Sequence, residues 1–114
     1  MSRAITPSDY QYFKKRCAYW IDKLGLKGWS VYYGKGKSDD SFAWVDLNST
    51  ARSALISVAD KHPDWCLINK RRQIDSSALH ECLELLLVDL KGEERDKHTA
   101  IRTLENLLID KGRQ

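Results

Sequence analysis

Ser76-Ser77-Ala78-Leu79-His80-Glu81-Cys82-Leu83-Glu84-Leu85-Leu86-Leu87-Val88 is the stretch that decides the fold. Its apolar residues recur at helical spacing and are too numerous for a surface helix, so a central, largely buried helix is predicted. Residues four apart lie on one face of a helix, one turn from each other. His80 and Glu84 are therefore side by side, while Glu81 is rotated from His80 by roughly 100°. This geometry suits two metal ligands with a neighbouring carboxylate free to act on water.

The same residues are similar to the zinc-peptidase signature His-Glu-x-x-His, in which two histidines bind zinc and the glutamate is the general base. Here a glutamate, Glu84, stands where the second histidine would be, giving a His-Glu-x-x-Glu motif. Zinc accepts carboxylate oxygen as well as imidazole nitrogen, so the exchange is compatible with a metal site. The expected cofactor is Zn²⁺, with another divalent metal as the alternative.

Length and composition predict a single domain over residues 1–114. Hydrophobic content of 42% and charged content of 31% are typical of a folded chain. No apolar run approaches the ~18 residues that span a bilayer, and the first residues lack a signal-peptide core. We therefore expect no membrane contact and a cytoplasmic location, in the host cytoplasm if the chain is encoded by a phage.

The N-terminal segment predicts a first helix. Thr6 is a suitable cap, Pro7 fits the first helical position and Asp9 favours the positive end of the helix. Gly25 is expected to end it. An apolar stripe follows the cap at helical spacing: Phe13, Cys17, Trp20, Ile21 and Leu24.

Three strand-like runs come next, at residues 29–33, 42–47 and 54–58. Residues 34–40 have the composition of a flexible hairpin loop, and residues 48–50 that of a turn. Two successive hairpins predict a three-stranded sheet, mainly antiparallel or else mixed, with one face covered by helices. The expected fold class is α+β.

Residues 59–74 are the least regular part of the chain, and a loop before the central helix is where a binding surface is expected. This segment carries Trp65 and the basic run Lys70-Arg71-Arg72. The run either forms a solvated patch or binds a phosphate backbone or an acidic partner. The alternative for the whole segment is a solvated connection anchored by Trp65.

The last two helices are predicted to form an antiparallel pair. The central helix is expected to begin near Asp75 or Ser76, both good caps, and to end at Gly92. The final helix then opens over residues 93–96, has an apolar stripe at 101, 104, 107 and 108, and frays over 111–114. Cys17 and Cys82 fall on apolar helix faces, so buried free thiols are expected and a disulfide framework is not.

In such a hairpin of helices, His98 comes level with Glu84. His80, Glu84 and His98 are then expected to form a three-ligand site with an open fourth position, the arrangement of a catalytic zinc. Glu81 is the expected general base. Glu105, two turns beyond His98, either supports a ligand by hydrogen bonding or replaces His98, and Glu94 is a further alternative for the third ligand.

Each of these residues has a plainer alternative. His80 alone could be a half-buried histidine bonded to a backbone carbonyl, and His98 an exposed first-turn residue. Glu84 could pair across the hairpin with a cation at position 95, 97 or 102. A carboxylate among leucines would nevertheless be costly to bury unpaired. For Cys82, a packing role is favoured over that of a nucleophile.

The order of helix, strand hairpin, third strand, His-Glu helix and ligand-bearing helix resembles the small zincin-like metallopeptidases of phages and prophages, which are similar in outline to the ImmA/IrrE and SprT-like families. The resemblance covers residues 24–108, including the lead into the first strand at 24–29. It also includes the strand at 52–58, which in that family borders the cleft and can pair with an extended substrate backbone. A minimal zincin-like domain is the implied fold.

Residue by residue, His80 and Glu81 match the family motif, and Glu84 occupies the second-histidine position. His98 lies where the family places its third ligand, often a glutamate. One histidine and one glutamate are thus exchanged, and two imidazoles and one carboxylate remain.

These observations predict a metal-dependent hydrolase that cuts a peptide bond in a protein partner. The alternative is a non-catalytic binding module that keeps the zincin-like scaffold with an altered metal site. Such a module would contact a host protein or nucleic acid through Lys70-Arg71-Arg72 and Trp65.

Overall fold

A computed structural model describes residues 3–38, 41–62, 70–88 and 94–112. The described residues form, in chain order, β1 (Arg3–Ala4), α1 (Pro7–Lys23), β2 (Ser30–Gly36), β3 (Ala43–Asn48), β4 (Ser53–Ala59), β5 (Lys61–His62), α2 (Lys70–Leu86) and α3 (Glu94–Gly112). The α+β class is confirmed, because an N-terminal helix, a three-stranded mixed sheet and two further helices are present.

Helix α1 begins and ends where the sequence predicts. The Asp9 amide donates to the Thr6 hydroxyl over 3.0 Å, and the Thr6 amide donates to the Asp9 carboxylate over 3.2 Å. This reciprocal capping box satisfies two amide groups that the first helical turn leaves unpaired. At the other end Gly25 adopts a φ of 71°, and the Leu26 amide donates to the Ile21 carbonyl. The chain therefore reverses toward the sheet directly after α1.

The strand order of the main sheet is β2-β4-β3. β4 pairs in parallel with β2, from Ser30↔Ser53 to Gly36↔Ala59, and antiparallel with β3, from Ala43↔Val58 to Asn48↔Ser53. The short strands β1 and β5 pair antiparallel, so two of the three strand pairings are antiparallel. The predicted hairpin between the strands at 29–33 and 42–47 is wrong, because β4 lies between them.

The burial of β4 explains its central position. Ala54, Ile56 and Val58 are at most 3% exposed and point toward the helices. A strand of this apolar content gains most when neighbours pair with both of its edges. The hairpin between β3 and β4 is confirmed, and Arg52 takes a φ of 54° in its turn.

Helix α2 begins at Lys70, one to two turns before the predicted start. Asp75 and Ser76, the predicted caps, lie inside the helix. Their side chains bond Arg16 and Glu105 instead of the helix backbone. Lys70-Arg71-Arg72 is accordingly the first helical turn and not part of a loop. The predicted stop at Gly92, like Trp65 and Cys66, lies outside the described residues. Helix α3 reaches Gly112, within the segment predicted to fray.

Helices α1 and α2 pack together and are joined by a largely buried ion pair. Arg16 Nε and Trp20 Nε1 each donate to Asp75 Oδ1 over 2.8 Å. The Asp75 side chain is 4% exposed, so these donors replace its lost hydration. Two turns further along α2, the free thiol of Cys82 donates to the carbonyl of the free, equally buried Cys17 over 3.7 Å, which confirms the prediction of buried thiols.

Among the described helices, none combines the length and the apolar character needed to cross a membrane.

Replacing Asp75 by alanine tests the α1–α2 ion pair. Asp75→Ala leaves a buried guanidinium and an indole N–H without their acceptor, and we expect a loss of about 3–5 kcal/mol in the free energy of unfolding, measured by urea titration. Asp22→Ala is the matched control, because Asp22 meets Lys27 at 3.4 Å on the surface and is 65% exposed. The control should change stability by less than about 1 kcal/mol. Equal losses in the two variants would contradict the assignment.

Candidate metal centre

Helices α2 and α3 bring the three predicted ligands together. His80 and Glu84 come from successive turns of α2, and His98 comes from the first half of α3. One ligand atom from each residue lies within 4.8 Å of the others. His80 Nε2 is 3.8 Å from Glu84 Oε1, and the centroids of the two imidazole rings are 6.4 Å apart. His80 and Glu84 are half-buried and His98 is exposed, so the cluster lies at the surface between the helices.

The chemistry of this donor set fits a zinc ion. Two imidazole nitrogens and one carboxylate oxygen are a familiar set of three protein ligands, with the fourth position open. In a tetrahedral site with bonds of about 2.0–2.1 Å, two donor atoms are about 3.3 Å apart. His80 and Glu84 need to approach by only about 0.5 Å from their 3.8 Å separation. His98 is the exposed member of the cluster, and its ligand atom lies within 4.8 Å of those of His80 and Glu84.

A second carboxylate, that of Glu105, bonds the ring nitrogen of His80 that lies away from Glu84. His80 Nδ1 lies 2.9 Å from Glu105 Oε2, and the Ser76 hydroxyl donates to the other oxygen of Glu105. With its proton on Nδ1, His80 directs the lone pair of Nε2 toward Glu84. The carboxylate–histidine pair is the arrangement that orients metal-binding histidines in general. Glu105 therefore orients the His80 ring, and the group that could hold a metal ion among the described residues is formed by His80, Glu84 and His98.

These contacts shift the pKa values of both partners. The hydrogen bond to Glu105 raises the pKa of His80, against the opposing effect of burial. Burial acts to raise the pKa of Glu105, but the hydrogen bonds from His80 and Ser76 outweigh it and the pKa falls below its ordinary value. Glu105 is consequently the ionised member of the pair, and it holds a proton on His80 at the nitrogen that faces away from Glu84.

Glu81 lies beside the cluster but is much less exposed than the ligands. Its residue is 7% exposed, and burial raises its pKa to about 7. His80 acts to lower this pKa, while the nearby carboxylates of Glu84 and Glu105 raise it. A carboxyl group with a pKa near neutrality both accepts and donates a proton readily at physiological pH. The pKa of Glu81 thus suits proton exchange near neutral pH, and its electrostatic neighbours include His80 and Glu84 of the cluster.

The contacts of His80 and Glu105 bear on the plainer alternatives for these residues. His80 is bonded to a carboxylate, not to a backbone carbonyl. Arg102 acts on Glu105, whose pKa it lowers. The side chains at 94, 95 and 97 lie outside the described residues, and with them Glu94 as an alternative ligand. The role of Ser76 as a partner of Glu105 is not evident from the sequence, because a serine before an apolar run is also the usual sign of a helix cap.

The expectation that the strand at 52–58 borders the cleft with a free edge is wrong. That strand is β4, whose two edges pair with β2 and β3. Within the described ranges β3 is an edge of the sheet, and it contacts α2. β3 is therefore the strand next to the ligand-bearing helix.

The burial of Glu81 predicts a pH-dependent stability difference in metal-free protein. Its folded-state pKa of about 7 lies above the ordinary 4.5, so the contribution of the protonated carboxyl is complete below pH 4.5 and is lost as the pH rises through 7. Glutamine cannot lose this proton. The free energy of unfolding of Glu81→Gln minus that of wild type should therefore increase by about 2–3 kcal/mol as the pH rises from 5 to 8. Urea titration with a chelator present measures this difference. A difference that does not change with pH would contradict the assigned burial.

Comparison with known protein families, with characterised proteins and with solved structures returned no significant match.

Proposed function

We propose that this chain is a zinc-dependent peptidase of the minimal zincin type, with His80, Glu84 and His98 as ligands and Glu81 as the general base. The observation that carries the proposal is the convergence of three donor atoms within 4.8 Å on two packed helices, next to a buried glutamate. Neither element of this pair suffices alone, because surface histidine–carboxylate clusters are common and buried glutamates often have structural partners. Together they match the roles of ligand and base.

The chemistry that a bound zinc ion supplies in such a centre is polarisation of the scissile carbonyl and activation of water at neutral pH. Glu81 accepts the proton of the attacking water on a carboxylate oxygen and returns it to the leaving amine, as its pKa of about 7 permits. Glu105 retains the proton on His80 Nδ1 and so keeps Nε2 available as a donor atom. The low exposure of Glu81 strengthens its electrostatic interactions with the reacting groups.

The substrate class follows from the edge strand that contacts α2. β3 leaves one edge unpaired among the described residues and contacts α2, which carries His80, Glu81 and Glu84. An extended peptide can add to such an edge through backbone hydrogen bonds, which places its carbonyl groups along the strand. This supports a peptide or unfolded protein segment as substrate in preference to a small molecule.

Metal binding tests the ligand set directly. We expect wild-type protein to bind one Zn²⁺ per chain by isothermal titration, and His80→Ala and His98→Ala to lose more affinity than the roughly 10–100-fold that follows removal of a hydrogen-bonding neighbour. His62→Ala is the matched control, because His62 is the remaining histidine and lies in β5. Zinc affinity that is equal in wild type, His80→Ala and His98→Ala would refute the proposed centre.

Loss of catalysis with retention of metal distinguishes the peptidase from the binding module. Glu81→Gln should keep zinc binding but reduce the cleavage of fluorescein-labelled casein by about 10²–10⁴-fold, the usual contribution of a general base. Ser77→Ala on the same helix provides a control that leaves the carboxylates intact. Wild-type protein that binds zinc but leaves casein and extended peptides uncut would favour the binding module.

Removal of Glu105 tests its role in orienting His80. Glu105→Ala should weaken zinc binding by about 10–100-fold, and ¹⁵N NMR of the metal-free protein should show loss of the His80 tautomer protonated at Nδ1. Glu105→Gln retains an oxygen acceptor and should restore most of the affinity. The control is Asn106→Ala, at the next and exposed position of α3. An unchanged tautomer in Glu105→Ala would show that the hydrogen bond does not position the ring.

A further inference from the structure

A group of four cations surrounds the first turns of α1, away from the metal centre. Lys14 comes from α1 itself, Lys35 from β2, and Lys70 and Arg71 from the start of α2. We call these four residues the cationic rim. Lys35 and Arg71 are exposed, and the other two are half-exposed. Lys70 precedes His80 by ten residues of one helix, so the rim and the centre are roughly 15 Å apart along the axis.

Aromatic rings lie between these cations. Lys14 Nζ and Lys35 Nζ are 4.8 and 5.5 Å from the centroid of the Tyr10 ring. Arg71 Cζ is 4.4 Å from the centroid of the Tyr12 ring. The rim therefore places positive charge next to aromatic rings on two flanks of α1, over little more than one turn from Tyr10 to Lys14, and residues from three separate elements contribute to it.

Among the described residues, little negative charge is placed to balance the rim. Asp9 accepts from Lys70, at 3.2 Å, and from the Thr6 amide, so its carboxylate is already engaged in the α1 cap. Asp60 is a described acid whose backbone lies beside that of Lys35, because its amide donates to the carbonyl of Gly36, the residue after Lys35. The first turn of α2 contains basic residues and no acidic one, and cations at this end oppose the helix dipole. Such a locally unfavourable arrangement is expected where an anion binds.

We infer that the cationic rim binds single-stranded nucleic acid, with its cations on the phosphates and Tyr10 and Tyr12 against the bases. In a nucleotide the phosphate lies next to the base. In the rim a cation likewise lies next to a ring, Lys14 beside Tyr10 and Arg71 beside Tyr12. Alternation of positive charge and aromatic rings is the usual composition of surfaces that bind single strands without sequence preference. An acidic polypeptide would use the cations but leave the rings without a planar partner. The inference is independent of the proposed peptidase activity.

The test is fluorescence anisotropy of a labelled twelve-nucleotide oligo(dT) with the metal-free full chain at several salt concentrations. For about three phosphate contacts, log K should fall with log[salt] with a slope of about −2. Lys35→Gln/Arg71→Gln should weaken binding about tenfold or more at low salt and reduce the slope to roughly −0.7. Tyr12→Leu should weaken binding about tenfold with the slope unchanged, because stacking does not release counterions.

The matched control is Lys23→Gln/Lys27→Gln, which removes two positive charges near the other end of α1. It should bind oligo(dT) as wild type does, and circular dichroism should show that both double variants are folded. Undetectable binding by wild type, or an equal loss in the two double variants, would overturn the inference. Binding of a twelve-residue oligoglutamate as tight as that of oligo(dT) would also overturn it, and would assign the rim to an acidic protein.

Discussion

Two consecutive polar residues of α2 hold the other two helices in place. Asp75 accepts from Arg16 and Trp20 of α1, and Ser76 donates to Glu105 of α3. Both interactions are partly shielded from water, and the Asp75 carboxylate is nearly fully buried, so its charge depends on the donors of α1. Because α2 also carries His80, Glu81 and Glu84, the same helix that organises the fold sets the positions of the candidate metal ligands.

The candidate metal centre is thus built on helices and not on loops. Ser76 of α2 bonds Glu105 of α3, and Glu105 in turn bonds the His80 ring. The position of α3 along α2 therefore determines how the His80 ring is oriented. His98, two turns earlier on α3, is then brought to the open side of the cluster by the same packing. A small domain can in this way position three ligands with few residues, since one contact between helices fixes both the scaffold and the site.

Local sequence signals predicted the local structure well. The Thr6 cap, the stop at Gly25, the three strands and the pairing of His80 with Glu84 each depend on residues a few positions apart, and each is present. The strand order and the true start of α2 depend on distant partners. Nothing near residue 34 indicates that β4 will lie between β2 and β3, and nothing near Asp75 indicates that Arg16 will occupy its carboxylate. A serine or aspartate before an apolar run can either cap a helix or bond a distant side chain. The local pattern favours a cap for Asp75 and Ser76, whereas both bond distant side chains.

The position of β4 at the centre of the sheet has a consequence for biosynthesis. Because β2 and β3 pair with β4 and not with each other, neither has a partner in the main sheet until the ribosome has released residues 53–59. About half of the nascent chain would carry unpaired strand edges up to that point, which is the state most open to intermolecular pairing. Glycine and lysine residues in β2 make that edge a poor template for aggregation during synthesis.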